Sequence, residues 1–167
     1  IGASAGGLEA YKSFLRHLPN NTGLAYVLVQ HLDPTHESLM VELLSKYTRM
    51  PVLQITDGTP VQPDHIYMIP PNRFVKIQAG GLFLTEPVAK RGLRLPIDYF
   101  FNSLAKAREE RAICVVLTGT GSDGAAGVRE IKAAGGLTIV QKPDTAEYDG
   151  MPRAAINTGS IDFVLPL

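Results

Sequence analysis

Cysteine, net charge and long apolar runs are what this sequence has least of. Cys114 is the only cysteine among 167 residues, so no internal disulfide can form, and a reducing, cytoplasmic setting is the expectation. Its place within Ile113-Cys114-Val115-Val116-Leu117 marks a buried structural thiol rather than a nucleophile. One cysteine and the four histidines His17, His31, His36 and His65 make a poor ligand set for structural zinc. His31 and His36, five residues apart, do not share a helical face as a metalloprotease pair requires. Lys+Arg and Asp+Glu balance at 16 each, which gives no case for a nucleic-acid partner or an acidic membrane surface. No apolar run approaches the roughly 20 residues of a membrane span, and no signal-peptide pattern is read, so direct membrane insertion is not expected.

What is present is an ordinary globular composition, 45% hydrophobic and 19% charged, in a length that suits one domain with a real core. The expected domain is residues 1–167. Ile1 reads as the last residue of a strand, so a strand feeding the next residues is expected upstream.

Those next residues are Gly2-Ala3-Ser4-Ala5-Gly6-Gly7, which fit G-x-S-x-G, the pattern of a serine on a sharp strand-to-helix turn. Leu8, Tyr11, Phe14, Leu15 and Leu18 follow at helical spacing, so Ser4 would face a helix N-terminus, whose free N–H groups stabilise a developing oxyanion. A phosphate loop or a simple tight turn fits the same six residues.

Further on, the continuous apolar run 24–29 suits a strand buried on both faces of a parallel sheet. A helix near 36–47 follows, then strands at 51–55 and 65–69, with turns at 57–60 and 62–64. Residues 74–78 and 82–85 flank Ala79-Gly80-Gly81, a hairpin signal. After a Pro/Gly/Arg-rich loop over 86–96 come a helix at 97–109, a strand at 112–118 and a helix at 125–134. A strand at 137–141, a short helix at 152–157 and a last strand at 161–165 complete the chain. The alternation predicts an α/β fold, a mainly parallel doubly wound (Rossmann-like) sheet with helices on both faces, made mixed by an antiparallel β-hairpin.

Ligands of such sheets bind at the carboxyl ends of the strands. Ser4 follows the first strand and His31 the second. Gly119-Thr120-Gly121-Ser122-Asp123-Gly124 follows the strand at 112–118. Serine hydrolysis needs a nucleophile, a base near neutral pKa and a carboxylate that fixes the imidazole tautomer. Alone, His31 fits a strand terminator equally well, and Asp123 fits a plain N-cap for the helix at 125–134. A rival reading takes Gly119, Gly121 and Gly124 as G-x-G-x-x-G, with Asp144 about 20 residues on, like the dinucleotide fingerprint. Against it, Asp123 would set a carboxylate beside the pyrophosphate, and the motif lies late in the chain.

Four separated segments carry a resemblance. Gly2-Ala3-Ser4 with Gly6-Gly7, then Gln30-His31, then Leu117-Thr118-Gly119 through Asp123-Gly124-Ala125 and Gly127, and finally Gly150-Met151-Pro152-Arg153 with Ala155-Ile156-Asn157 are similar to the chemotaxis receptor methylesterases, the CheB catalytic domain. The resemblance covers essentially the whole chain. It implies hydrolysis of glutamate γ-methyl esters on the cytoplasmic domain of methylated chemoreceptors, a related glutamine deamidase activity and no cofactor. By motif, it implies Ser4 as nucleophile, His31 as general base and later acid, and Asp123 as the orienting carboxylate. Thr120 stands where the family often has methionine, and Ala5 where it has threonine, both lining the site. No receiver domain is found in these residues. The segments 4–7 and 95–101 resemble members fused to methyltransferase or sensor domains. A catalytically weak binding domain within such a fusion is the alternative reading. Arg91, Arg94 and Arg153 are candidates for meeting the acidic surface around receptor methylation sites.

Overall fold

The computed structural model describes residues 1–30, 39–86 and 94–167. The first half of the chain supplies strands β1 (Gly2–Ala3), β2 (Tyr26–Gln30), β3 (Val52–Gln54), β4 (Thr59–Pro60) and β5 (Ile66–Met68). The hairpin strands β6 (Phe74–Gln78) and β7 (Gly81–Thr85) follow. The second half adds β8 (Ile113–Val116), β9 (Leu137–Gln141) and β10 (Phe163–Leu165). The helices are α1 (Gly7–His17), α2 (Leu39–Ser45), α3 (Pro96–Arg108), α4 (Ala125–Ala133) and α5 (Gly150–Ile156).

Seven strands form one sheet in the order β10-β9-β8-β1-β2-β5-β3, every pairing parallel. Its central strands are apolar on both faces, as burial between two helix layers demands. Val27 and Val29 of β2, with Tyr67 of β5 and Cys114 and Val116 of β8, join one core with Ile97, Phe100 and Phe101 of α3, Val128 and Ile131 of α4, and Met151 of α5. Tyr26 and Leu28, alternating with them, join Ala10, Tyr11 and Leu15 of α1 and Met40 and Leu44 of α2 on the other face. The period-2 alternation of a strand thus sorts the chain into two cores with one sheet between them. Cys114 is fully buried, and burial pushes its thiol pKa up to about 12.

The hairpin does not make this sheet mixed. β6 and β7 pair antiparallel in a separate three-stranded sheet, order β4-β7-β6, which packs on α3 through Val75, Ile77 and Leu82. Its third strand, β4, falls where the sequence suggests a turn. A two-residue strand ending in Pro60 gives little strand signal, and its edge position is where proline is tolerated. The helix expected over 36–47 is seen from Leu39, its start lying outside the described residues, as do 87–93 of the expected loop. Among the described residues no helix is long and apolar enough to cross a membrane.

The first strand is only two residues long, yet it is paired on both sides. Gly2 pairs with Val29 on one side and Val116 on the other, and Ile1 extends the ladder through its carbonyl, which accepts the Val29 N–H at 2.9 Å. From β1 the chain runs to β2, crosses to β3 at the edge and fills the place between them with β5, then returns to build β8, β9 and β10 on the other side. The reversal between β1 and β8 opens the crevice where doubly wound sheets bind ligands.

Candidate active site

Ser4 leaves β1 at that crevice. Its N–H donates to the Thr118 carbonyl beyond β8 at 3.0 Å, and its carbonyl accepts the Gly7 N–H at 2.9 Å, closing the turn into α1. Gly6, the N-cap of α1, takes the left-handed conformation (φ +74°) that the abrupt turn requires. A Cβ there would also lie 2.8 Å from Glu147 Oε2 and 3.1 Å from Thr118 Oγ1.

The neighbouring strand end brings the glycine-rich segment against Ser4. A Cβ on Gly119 would lie 2.9 Å from Ser4 Cβ and 2.2 Å from the Met151 sulfur. On Gly124 it would lie 3.1 Å from Ile97 Cγ2, and on Gly127 2.5 Å from Phe101 Cβ. These glycines let the protein pack against itself: Gly119 admits Ser4, while Gly124 and Gly127 let α4 lie close on α3. Gly119 and Gly124 of the G-x-G-x-x-G segment thus have packing roles that need no dinucleotide.

Asp123 is 3% exposed and does not cap the helix that follows it. The N-cap of α4 is Gly124. Instead Asp123 Oδ2 accepts the Ile97 N–H at 3.0 Å and Oδ1 the Asp98 N–H at 2.9 Å, both in the first turn of α3. The N-cap of α3 is Leu95, which has no side-chain acceptor to offer, so Asp123 serves two orphan donors from 25 and 26 residues away. Asp98 returns the arrangement: its Oδ1 accepts the Gly127 N–H of α4 at 2.7 Å. Each carboxylate sits where a helix macrodipole favours negative charge. Burial first, and the neighbouring Asp123 charge as well, push the Asp98 pKa above the ordinary aspartate value despite that hydrogen bond.

Two of the three residues singled out from sequence, Ser4 and Asp123, therefore lie on turns leaving the adjacent strands β1 and β8. His31 lies outside the described residues. Gln30, the last residue of β2, is in register with Ala3 beside Ser4. Arg91 is likewise outside the described residues. Arg153 is paired with Asp149 on its own helix at 2.6 Å, and Arg94 donates to Asn72, so neither is a bare cation. Among the described residues no group of three or more His, Cys, Asp or Glu side chains could hold a metal ion.

Thr118, Gln141 and Asp98, all less than 10% exposed, are not singled out by sequence reasoning. Thr118 donates its N–H to Gln141 Oε1 at 2.9 Å, and Gln141 Nε2 donates to the Thr145 carbonyl at 2.9 Å. A buried threonine that breaks an apolar strand, or an aspartate in a helix's first turn, is the only sequence signal these residues carry.

Comparison with known proteins follows the same lines. The family model of the CheB methylesterases matches residues 1–167. An uncharacterized 104.1 kDa protein of Rhodobacter capsulatus is 46% identical over 126 residues, 75% of this chain and 13% of that protein. A protein-glutamate methylesterase/protein-glutamine glutaminase of Photorhabdus laumondii is 37% identical over 171 residues, covering the whole of this chain and 49% of that protein. The chain thus spans half or less of the length of these two relatives. The crystal structure of the Thermotoga maritima CheB methylesterase catalytic domain superposes with a TM-score of 0.90 at 30% identity, covering 99% of this chain and 90% of that one.

Proposed function

The chain belongs to the CheB methylesterase family, and on that premise we propose that residues 1–167 form a serine hydrolase domain that demethylates glutamate γ-methyl esters on the cytoplasmic domain of chemoreceptors. The observation that carries this reading is the meeting of Ser4 with the Asp123-bearing turn at the strand-order reversal, where Gly119 leaves room for Ser4 Cβ.

In this reading His31 takes the Ser4 proton as Oγ attacks the ester carbonyl. Asp123, held through both oxygens by the N-terminus of α3, fixes the imidazole tautomer and orientation. N–H groups of the turns after Ser4 and around Thr120 and Gly121 receive the oxyanion. His31 then gives its proton to the departing methoxide, releasing methanol. Water, deprotonated by His31, attacks the acyl-Ser4 carbonyl; the proton returns to Ser4 Oγ and the product is glutamate. A glutamine substrate follows the same steps with ammonia leaving, which is the glutaminase activity in the name of the Photorhabdus relative. The setting is cytoplasmic, where the receptor's methylation sites lie, and methyltransferase or sensor domains are the expected fusion partners.

The test is methanol release from a methylated receptor fragment. Ser4→Ala is expected to lower turnover by about 10³-fold or more with an unchanged melting curve. Retained turnover would remove Ser4 from its role.

A further inference from the structure

We propose that Thr118 is a positioning residue for Ser4, its hydroxyl holding the nucleophile turn against the backbone of Tyr148. The proposal rests on Ser4 being the nucleophile.

Thr118 lies just past β8, is 2% exposed and has every polar atom engaged. Its carbonyl accepts the Ser4 N–H at 3.0 Å. Its own N–H is held by Gln141. Its hydroxyl oxygen accepts the Tyr148 N–H at 2.9 Å and lies 3.1 Å from the Ala5 carbonyl and 3.2 Å from the Tyr148 carbonyl. A hydroxyl has one hydrogen to give. Both carbonyls lie within reach of that hydrogen, the one of Ala5 being the nearer. One side chain and its backbone therefore grip the Ser4–Ala5 unit at both ends, by the N–H of Ser4 and the C=O of Ala5.

The grip has no slack. Gly6, next in the chain, is so close to Thr118 Oγ1 that a Cβ would come within 3.1 Å. On the other side Gln141 replaces the ladder partner that Thr118 loses where β8 ends, and its second amide atom ties it to Thr145. Three segments distant in sequence, 4–7, 118–119 and 145–148, are thus locked through one hydroxyl and one amide. Removing the hydroxyl leaves the Ser4 N–H on the Thr118 carbonyl but frees the far end of the turn. Nucleophile placement is sensitive to that freedom, since a misplacement of about 1 Å can lower a rate about 100-fold.

The experiment compares wild type, Thr118→Val, Thr118→Ser and Ser4→Ala by two readouts: kcat and KM for methanol release from methylated receptor fragment, and the rate at which a fluorophosphonate labels Ser4. Thr118→Val keeps the shape and removes the hydroxyl. It is expected to lower kcat and the labelling rate about 10- to 100-fold per folded molecule, with KM within about twofold, and Thr118→Ser to restore both to within about threefold. Thr118→Ala, which leaves space for water, is read instead if the valine variant does not fold. A hydroxyl-free variant within threefold of wild type, a loss confined to KM, or a serine variant as slow as valine would each overturn the assignment. Wild type labelled at Ser4 but releasing no methanol overturns the substrate reading alone, because labelling still decides Thr118. Wild type inert in both assays overturns both.

Discussion

The contacts around Thr118 are made with neutral groups, a hydroxyl, a side-chain amide and backbone, whereas those around Asp123 join two carboxylates, each accepting N–H groups from the helix that the other precedes or begins. Both arrangements hold one element of the candidate site, Ser4 in the first case and the Asp123 carboxylate in the second. A neutral network fixes geometry without setting any charge, which suits the nucleophile role proposed for Ser4. Helix N-termini fix geometry and also favour the anion, which suits the orienting role proposed for Asp123. The second solution places Asp123 close enough to Asp98 to oppose the ionisation of Asp98.

The sharpest way to break the comparison is Asp123→Asn. The amide keeps the shape but removes the charge and turns one N–H-accepting atom into a donor facing the α3 amides. Turnover is expected to fall on the order of 10³–10⁴-fold, from the wrong imidazole tautomer. Stability is expected to fall by about 1–3 kcal/mol from a buried N–H left without an acceptor. Kinetics and denaturant unfolding on the same samples check both. A stability loss with turnover within tenfold of wild type would leave Asp123 a helix cap and nothing more.

Next in size is a pair of glycine substitutions. Gly119→Ala drives a methyl into Met151 and Ser4, while Gly127→Ala drives one into Phe101 between α3 and α4. Both are overpacked and are expected to lose about 1–3 kcal/mol. Only Gly119→Ala is expected to lower kcat, by about 10- to 100-fold, because only there does relief of the clash move Ser4, the proposed nucleophile. Equal kcat in the two variants, measured per folded molecule, would show that the Ser4 turn absorbs the methyl without moving.

The part of this architecture that is local in sequence could be read from it. Apolar runs in the central strands, helices between them and glycines at the strand ends predict a parallel sheet and put Ser4 and Asp123 at carboxyl ends. What could not be read depends on partners far along the chain. Asp123 before α4 has the sequence of an ordinary N-cap, and only the fold shows its oxygens turned to α3. Thr118 meets Gln141 23 residues on and Tyr148 30 residues on, and no local pattern distinguishes it from a threonine ending any strand. β4 is hidden for another reason: two residues, one of them proline, pair only because β7 offers an edge.

The smallest expected effect tests the strain in the charged pair. Asp98 has its pKa raised by burial and by Asp123, so the native state holds the Asp98 proton more tightly than the unfolded chain does. The stability this group contributes is therefore fully present below the unfolded value near 3.9 and is lost as pH rises through the higher folded value. Asn at this position can still accept the Gly127 N–H but cannot ionise. Asp98→Asn is expected to match wild type in acid and to gain on it as pH rises toward neutral, by about 1 kcal/mol or less, whereas Asp98→Ala is expected to lose about 1–2 kcal/mol throughout by leaving the α4 amide bare. Denaturant unfolding of the three proteins from pH 4 to 7 measures the differences directly, so that titration of all other groups cancels. An Asp98→Asn difference that stays flat with pH would mean that neither burial nor the Asp123 charge raises the Asp98 pKa, and this arrangement would then be as free of charge strain as the Thr118 network.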